Sequence, residues 1–386
     1  MEHVKGLDTL RAYAVILVIF AHWGPNFNTD PNAHLGHFIQ EFFIPDALFG
    51  VTLFFVLSGF LITSILLRAR NDANENGIMK TAIIKNFFFR RVLRLFPVYY
   101  ILVAFLYAIN MGDVRANIGY ALTYTMNILC YRTNTWNSIS HTWTLAIEEQ
   151  FYLLWPWLIL FTGCRYMKRI LGLIVITGAV SSYFAVERFG HMEPFLMFNC
   201  FDAFGIGAFY AYARLNTTFC CKFEKAISWL MAPAIIAYIY WKILHYAYQP
   251  LGPGISFCKT VDSIISVWLI ILILNSKSAK VKKYILENRV LNYIGKISYG
   301  LYLFHPPFAT VVMPSLRAFI ARSAVQFPAY KDIILSYAVD YWFSVMVLIA
   351  IASLSYYLIE KPFLRLKHFF RYKYSATKRL TNLSVS

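Results

Sequence analysis

The chain has 386 residues, of which 59% are hydrophobic, 18% aromatic and only 14% charged. So few polar residues cannot cover that much apolar side chain in water, which excludes a soluble globule and points to a polytopic membrane protein. The formal charge of +17 does not mark a nucleic-acid-binding surface, because the basic residues are scattered between apolar runs, as membrane topology requires.

Apolar runs that predict spans fall near 10–27, 47–67, 95–110, 144–162, 170–187, 195–213, 226–245, 259–275, 297–316 and 334–359, with a weaker one at 118–131. The first lacks a small-x-small cleavage site and precedes many others, so it reads as a retained helix. Lys and Arg set the orientation. The connection after the first run has none of them and carries Asp30, Glu41 and Asp46, whereas the next holds Arg68, Arg70, Lys80, Lys85, Arg90, Arg91 and Arg94. Alternation then puts Arg165/Lys168/Arg169, Arg214/Lys222/Lys225, Lys277–Lys296 and the tail from Lys361 on the cytoplasmic side. This works if 118–141 leaves and returns on the outer face, as a re-entrant or buried segment. The expectation is an all-α protein of about ten transmembrane helices with both termini cytoplasmic. Its parts are a membrane domain over 1–366 and a basic cytoplasmic tail over 367–386. Six cysteines show neither CxxC spacing nor the density of a disulfide scaffold and read as apolar packing residues, and no metal is called for.

Ionisable residues inside a bilayer cost about 2.5–3.5 kcal/mol each, so they face a cavity or a partner. In "RAYAVILVIFAH" (11–22), Arg11 and His22 lie about 16 Å apart along one helix. Eleven steps of about 100° bring them close to the same face. His22 has an imidazole suited to general-base work near neutral pH, or it is a buried histidine satisfied by a neighbouring helix. "GVTLFFVLSGFLITS" (50–64) places Ser58 and Gly59 in mid-helix, where small residues let helices pack closely. "FFFRRVLRLFPVYY" gives Arg91 and Arg94 as an i,i+3 pair, either topological or suited to binding a phosphorylated ligand. "SHTWTLAIEEQFYLLWPW" starts a span on the outer side. Glu148, at a depth similar to His22, is expected to accept the imidazole N–H and fix its tautomer. His141 is a rival base, and Glu149, Gln150 and Tyr152 are further cavity candidates. "ISYGLYLFHPPF" puts His305 before two prolines that should kink or break the helix. "SYYLIEKPF" closes the last span with Glu360 and Lys361, read as an interfacial anchor.

Taken together these segments resemble the integral-membrane acyltransferase family 3. The resemblance rests on "LDTLRAYAVILVIFAH", "GVTLFFVLSGFLI", "RRVLRLFP", "TWTLAIEEQFYLLWP", "ISYGLYLFH" and "SYYLIEKPF", in the family's order, over essentially residues 5–366. It implies O-acylation of an extracytoplasmic carbohydrate such as O-antigen or exopolysaccharide, and acyl-CoA, in particular acetyl-CoA, as donor rather than a permanently bound cofactor. It further implies His22 as catalytic base and the "RRVLR" arginines near the donor entrance, with Arg11 beside them. The implied location is the cell (inner) membrane, with lipid, donor and a carbohydrate or glycolipid acceptor as partners, no nucleic acid, and self-association left open. The family often carries an arginine two residues before the aspartate of "FDAFGIGA"; here that position is Cys200, and no role is carried over. Direct transfer and a covalent acyl-enzyme both remain compatible with the residues. Two other classes fit the intramembrane charges alone: a proton-coupled carrier or flippase of an anion, and a membrane sensor or scaffold.

Overall fold

The computed structural model describes residues 6–24, 46–185, 195–246 and 257–370. The acidic stretch with Asp30 and Glu41 and the basic tail from 371 lie outside the described residues. Among those described there is no strand, and the described part of each of the ten apolar runs is mainly helical.

The first helix, α1 (Leu7–Trp23), leads into α2 (Ala47–Asn76) and α3 (Lys80–Ala108). Asp46 starts α2 by accepting the Phe49 N–H at 2.8 Å, and Gly77, at φ 66°, ends it. Two short helices, α4 (Ile118–Leu122) and α5 (Met126–Thr133), fill the segment read as re-entrant. At 5 and 8 residues neither approaches the roughly 20 residues that a span needs. A turn of 3-10 helix at Ser140–Thr142 feeds α6 (Trp143–Phe161), and α7 (Cys164–Tyr183) and α8 (Phe201–Ala213) follow. The remaining principal helices are α9 (Thr217–Tyr246), α10 (Cys258–Asn275), α11 (Arg289–Val311), α12 (Met313–Gln326) and α13 (Tyr337–Ser355). Asn288 caps α11 on the N–H groups of Val290 and Leu291, each at 3.0 Å.

Among the described residues, five helical stretches are long and apolar enough to cross a membrane: α2, α3, α9, α10 and the run from Tyr337 to Phe370. The α11–α12 pair makes a sixth if it is one broken span. Length and charge explain why ten is not reached on this measure. The 13-residue α8 covers only about 20 Å, against a hydrocarbon core of about 30 Å. Only 17 residues make up α1, α6 carries two adjacent glutamates, and α7 has three basic residues among its first six. The chain is an all-helical, multi-pass membrane protein.

Bare backbone surfaces let the central helices touch. A Cβ at Gly59 of α2 would lie 2.1 Å from the Phe204 carbonyl oxygen of α8, and one at Gly207 would lie 2.1 Å from that of Val56. Likewise a Cβ at Gly295 would lie 2.0 Å from the Asp8 carbonyl oxygen, so α11 and α1 also meet backbone to backbone. Against this frame pack Phe55, Phe151 and Phe204, with the last two rings stacked 4.1 Å apart. The prolines of α11 do not break the helix where they stand. It runs through Pro306 and Pro307 to Val311 and bends by 60° into α12. None of the six cysteines is in a disulfide; Cys130 and Cys200 are buried, but Cys164 and Cys221 are exposed.

Candidate active site

One cavity of about 760 Å³ runs inward between α1, α2, α3, α6 and α11. One end is basic, lined by Arg11, Arg68, Arg90, Arg91, Arg94, Arg214 and Lys367. These cations come from the first turns of α1, the ends of α2 and α8, α3, and the chain beyond α13, so charges distant in sequence face one volume. Two are visibly held in place. Arg11 is paired with Asp8 at 2.7 Å one turn before it. The Arg91 guanidinium lies over the rings of Tyr152 and Phe87, at 5.1 and 5.4 Å from their centroids. Such a ring of planar, fixed guanidinium groups is an anion site of high charge density.

Deeper in, the lining turns from charged to hydroxylic and apolar: Ser58, Thr144, Glu148, Tyr299 and Tyr302 among phenylalanines and leucines. Ser58 Oγ donates to Glu148 Oε1 at 2.7 Å. Tyr302 Oη bonds Thr144 Oγ1 at 2.6 Å and donates to the His141 carbonyl at 3.1 Å, placing a hydroxyl pair across the inner end.

Behind Tyr302 stand three imidazoles. The rings of His22 and His305 are 5.0 Å apart and those of His305 and His141 5.8 Å, each pair edge to face. Tyr302 lies 5.5 Å from the His305 ring and 6.2 Å from that of His141. His22 is exposed, while His141 and His305 are buried. The three rings come from α1, the 3-10 turn before α6 and α11, so only the folded bundle assembles them.

The expected residues therefore divide. Arg11, Arg91, Arg94, Glu148 and Tyr152 line the cavity. His22, His141 and His305 form a cluster beyond its inner end. Glu148 and His22 do not pair: the carboxylate takes Ser58, and His22 Nδ1 takes the Val18 carbonyl at 2.8 Å. The physical reason is position, because the layer of Tyr302 and Thr144 stands on the cavity side of the imidazoles while Glu148 faces α2. Gln150 is a structural clamp, bonding the Asn127 side chain at 3.2 and 2.8 Å in both directions. Glu149, half-buried, does not line the cavity. Sequence reasoning missed Ser58, Thr144, Tyr302, Arg68, Arg214 and Lys367. Of the two residues expected to let helices pack, Gly59 does so, whereas Ser58 faces the cavity and bonds Glu148. The expected anchor Glu360 is buried rather than interfacial.

Residues 4–361 match the family described as "Acyltransferase domain". The peptidoglycan O-acetyltransferase OatA of Listeria monocytogenes is 27% identical over 344 residues, covering 82% of this chain and 51% of that protein. The putative peptidoglycan O-acetyltransferase YrhL of Bacillus subtilis is 28% identical over 94% of this chain and 55% of its own length. A putative O-acetyltransferase of Staphylococcus aureus is 28% identical over 94% of this chain and 58% of its own. The chain thus spans about half the length of the curated relatives it matches. No solved structure matches. The family match covers α1, α2, α3, α6 and α11 and all three histidines, and gives a carrier reading no support; the chain belongs to the membrane acyltransferase family.

Proposed function

We propose that this protein is an O-acetyltransferase that moves an acetyl group from acetyl-CoA to a hydroxyl of a cell-surface glycan of the peptidoglycan type. One observation carries the reading: a single cavity joins a seven-cation mouth to a hydroxyl-lined end with imidazoles directly behind it. Coenzyme A has the complementary shape, with phosphates at one end and a slender uncharged arm ending in the thioester at the other. In this reading the basic mouth faces the cytoplasm, where the donor is made, and the histidine end faces outward, with ten helices crossing the bacterial cell membrane.

The chemistry follows from where the groups lie. Arg11, Arg91 and Arg94, with Arg90, Arg68, Arg214 and Lys367 around them, hold the donor phosphates. The arm extends past Tyr152 and Glu148 toward Tyr302. His22 is the base. Its Nδ1 sits on a backbone carbonyl, which can only accept, so the neutral ring carries its proton there and its lone pair at Nε2. That lone pair takes the acceptor's hydroxyl proton as the oxygen attacks the thioester carbon. The C–S bond breaks, and the imidazolium returns the proton to the departing thiolate. Donor and acceptor held at one point gain the rate advantage of an intramolecular reaction. Motion of the Tyr302–Thr144 pair is the step that admits the thioester to the imidazoles. Ser58 and Glu148 line the path of the arm rather than serving as the base dyad.

The test is mass spectrometry of cell-wall glycan with and without the gene. The expected result is loss of one acetyl mass per modified residue in the deletion, restored by the wild-type gene. Unchanged glycan together with an unused acetyl-CoA pool refutes the reading.

A further inference from the structure

The two prolines of α11 have a consequence for the imidazoles. In an α-helix the N–H of residue i satisfies the carbonyl of residue i−4, and proline has no N–H. Pro306 and Pro307 therefore release the carbonyls of Tyr302 and Leu303. Both are taken by histidine rings: His305 Nδ1 lies 2.7 Å from the Tyr302 oxygen, and His141 Nε2 lies 3.2 Å from the Leu303 oxygen. A carbonyl oxygen only accepts, so each contact fixes the protonated nitrogen of a neutral ring. His305 carries its proton on Nδ1 and His141 on Nε2. The opposite nitrogens, His305 Nε2 and His141 Nδ1, are then bare acceptors. Both are fully buried and have no hydrogen-bond partner among the described residues. Their rings are 5.8 Å apart, and His22, with its own lone pair at Nε2, is 5.0 Å from His305. Two buried lone pairs without a donor among the described residues are a defect in an ordinary core, and here they stand beside the exposed His22.

We infer that His141 and His305 form the binding subsite for an N-acetylated sugar acceptor, whose ring hydroxyl and neighbouring acetamido N–H donate to His305 Nε2 and His141 Nδ1 while the reacting hydroxyl donates to His22 Nε2. The inference rests on the acetyltransferase reading and deepens it. His141 and His305 move no proton; they position. The ligand class follows from the number of acceptors, because a simple alcohol satisfies one nitrogen and a sugar with a hydroxyl and an acetamido N–H on adjacent carbons satisfies several. The half-buried Trp23, whose ring is 6.5 Å from that of His305, adds an apolar face of the kind that packs on a pyranose. The diproline is part of the device, since a residue with an N–H at 306 or 307 would compete for the carbonyl that fixes the tautomer.

The test separates acceptor from donor in the full-length protein in detergent. His305→Asn keeps a donor at the Nδ1 position and loses the Nε2 acceptor; His141→Gln keeps a donor at the Nε2 position and loses Nδ1. Binding of an N-acetylglucosamine pentamer is followed by saturation-transfer NMR and binding of coenzyme A by calorimetry, with acetyl transfer to the pentamer measured in parallel. The expected result is at least a tenfold rise in the pentamer Kd and KM in each variant, with the coenzyme A Kd unchanged within twofold. Pro306→Ala, which disturbs the tautomer without touching a ring, should raise the pentamer KM in the same sense. Equal pentamer binding in wild type and variants, no pentamer binding by wild type, or parallel loss of coenzyme A binding overturns the subsite. Pentamer binding that depends on the two rings without any transfer by wild type would instead sustain the subsite and refute the acetyltransferase reading.

Discussion

Replacing Arg91 gives the most direct measure of the cavity's basic mouth. Its guanidinium is held between the rings of Phe87 and Tyr152, and it lines the cavity beside Arg90 and Arg94. A hydrogen bond to a charged group contributes about 1.5–3 kcal/mol, so Arg91→Ala should weaken coenzyme A binding about 10- to 150-fold. Arg91→Lys keeps the charge but loses the flat group that lies on two rings and grips phosphate with two N–H bonds. Its Kd should fall between those of wild type and Arg91→Ala. Calorimetry on purified protein measures both, with Arg317→Ala as control. Arg317 is largely exposed, pairs with Asp340 at 3.0 Å and does not line the cavity. Raising ionic strength from 0.1 to 1 M shortens the screening length from about 10 Å to about 3 Å. Wild-type affinity should fall across that range, and the alanine variant should show a shallower salt dependence. An Arg91→Ala protein that binds coenzyme A within twofold of wild type would refute the assignment of the mouth to phosphate.

The helix contacts make their own predictions. Gly59→Ala or Gly207→Ala places a methyl 2.1 Å from a backbone oxygen, and since backbone cannot swing aside, each should cost about 1–3 kcal/mol, read as a lower melting temperature in detergent. Lys259 and Asp202 form a buried ion pair, with Thr260 Oγ1 also donating to Asp202 at 2.7 Å. Lys259→Met strands that carboxylate and should destabilise the protein by about 3–5 kcal/mol, much of it recovered in the double variant with Asp202→Leu. Gln150→Leu removes the clamp on Asn127 and should lower thermal stability by about 1–3 kcal/mol while leaving coenzyme A affinity unchanged, which a paired melt and titration would check.

What could be read from the sequence was what one helix determines. Arg11 and His22 do lie on a single continuous helix, α1, because a fixed rise and turn per residue allow no other outcome. Tyr152 shares the cavity with Glu148 for the same reason: four residues advance by about 400°, a return to within about 40°. The same arithmetic puts Gln150 about 200° from Glu148, and it indeed faces Asn127 instead. Pairings between helices were beyond such counting. Ser58 meets Glu148 across 90 positions, and His141 finds the Leu303 carbonyl across 162. Nothing local signals these; they depend on how α2 packs against α6 and how the turn before α6 meets α11. The prolines after His305 were legible as helix breakers but not as a source of two carbonyls for imidazoles, because the acceptors they release matter only once a second segment arrives.

The measurement closest to the centre of the account is acetyl transfer by His22→Gln in proteoliposomes, with radiolabelled acetyl-CoA supplied on the basic side and a glycan acceptor on the other. The account predicts that the variant inserts, binds coenzyme A as wild type does and transfers no label to the glycan. Label arriving on the acceptor at the wild-type rate would contradict it.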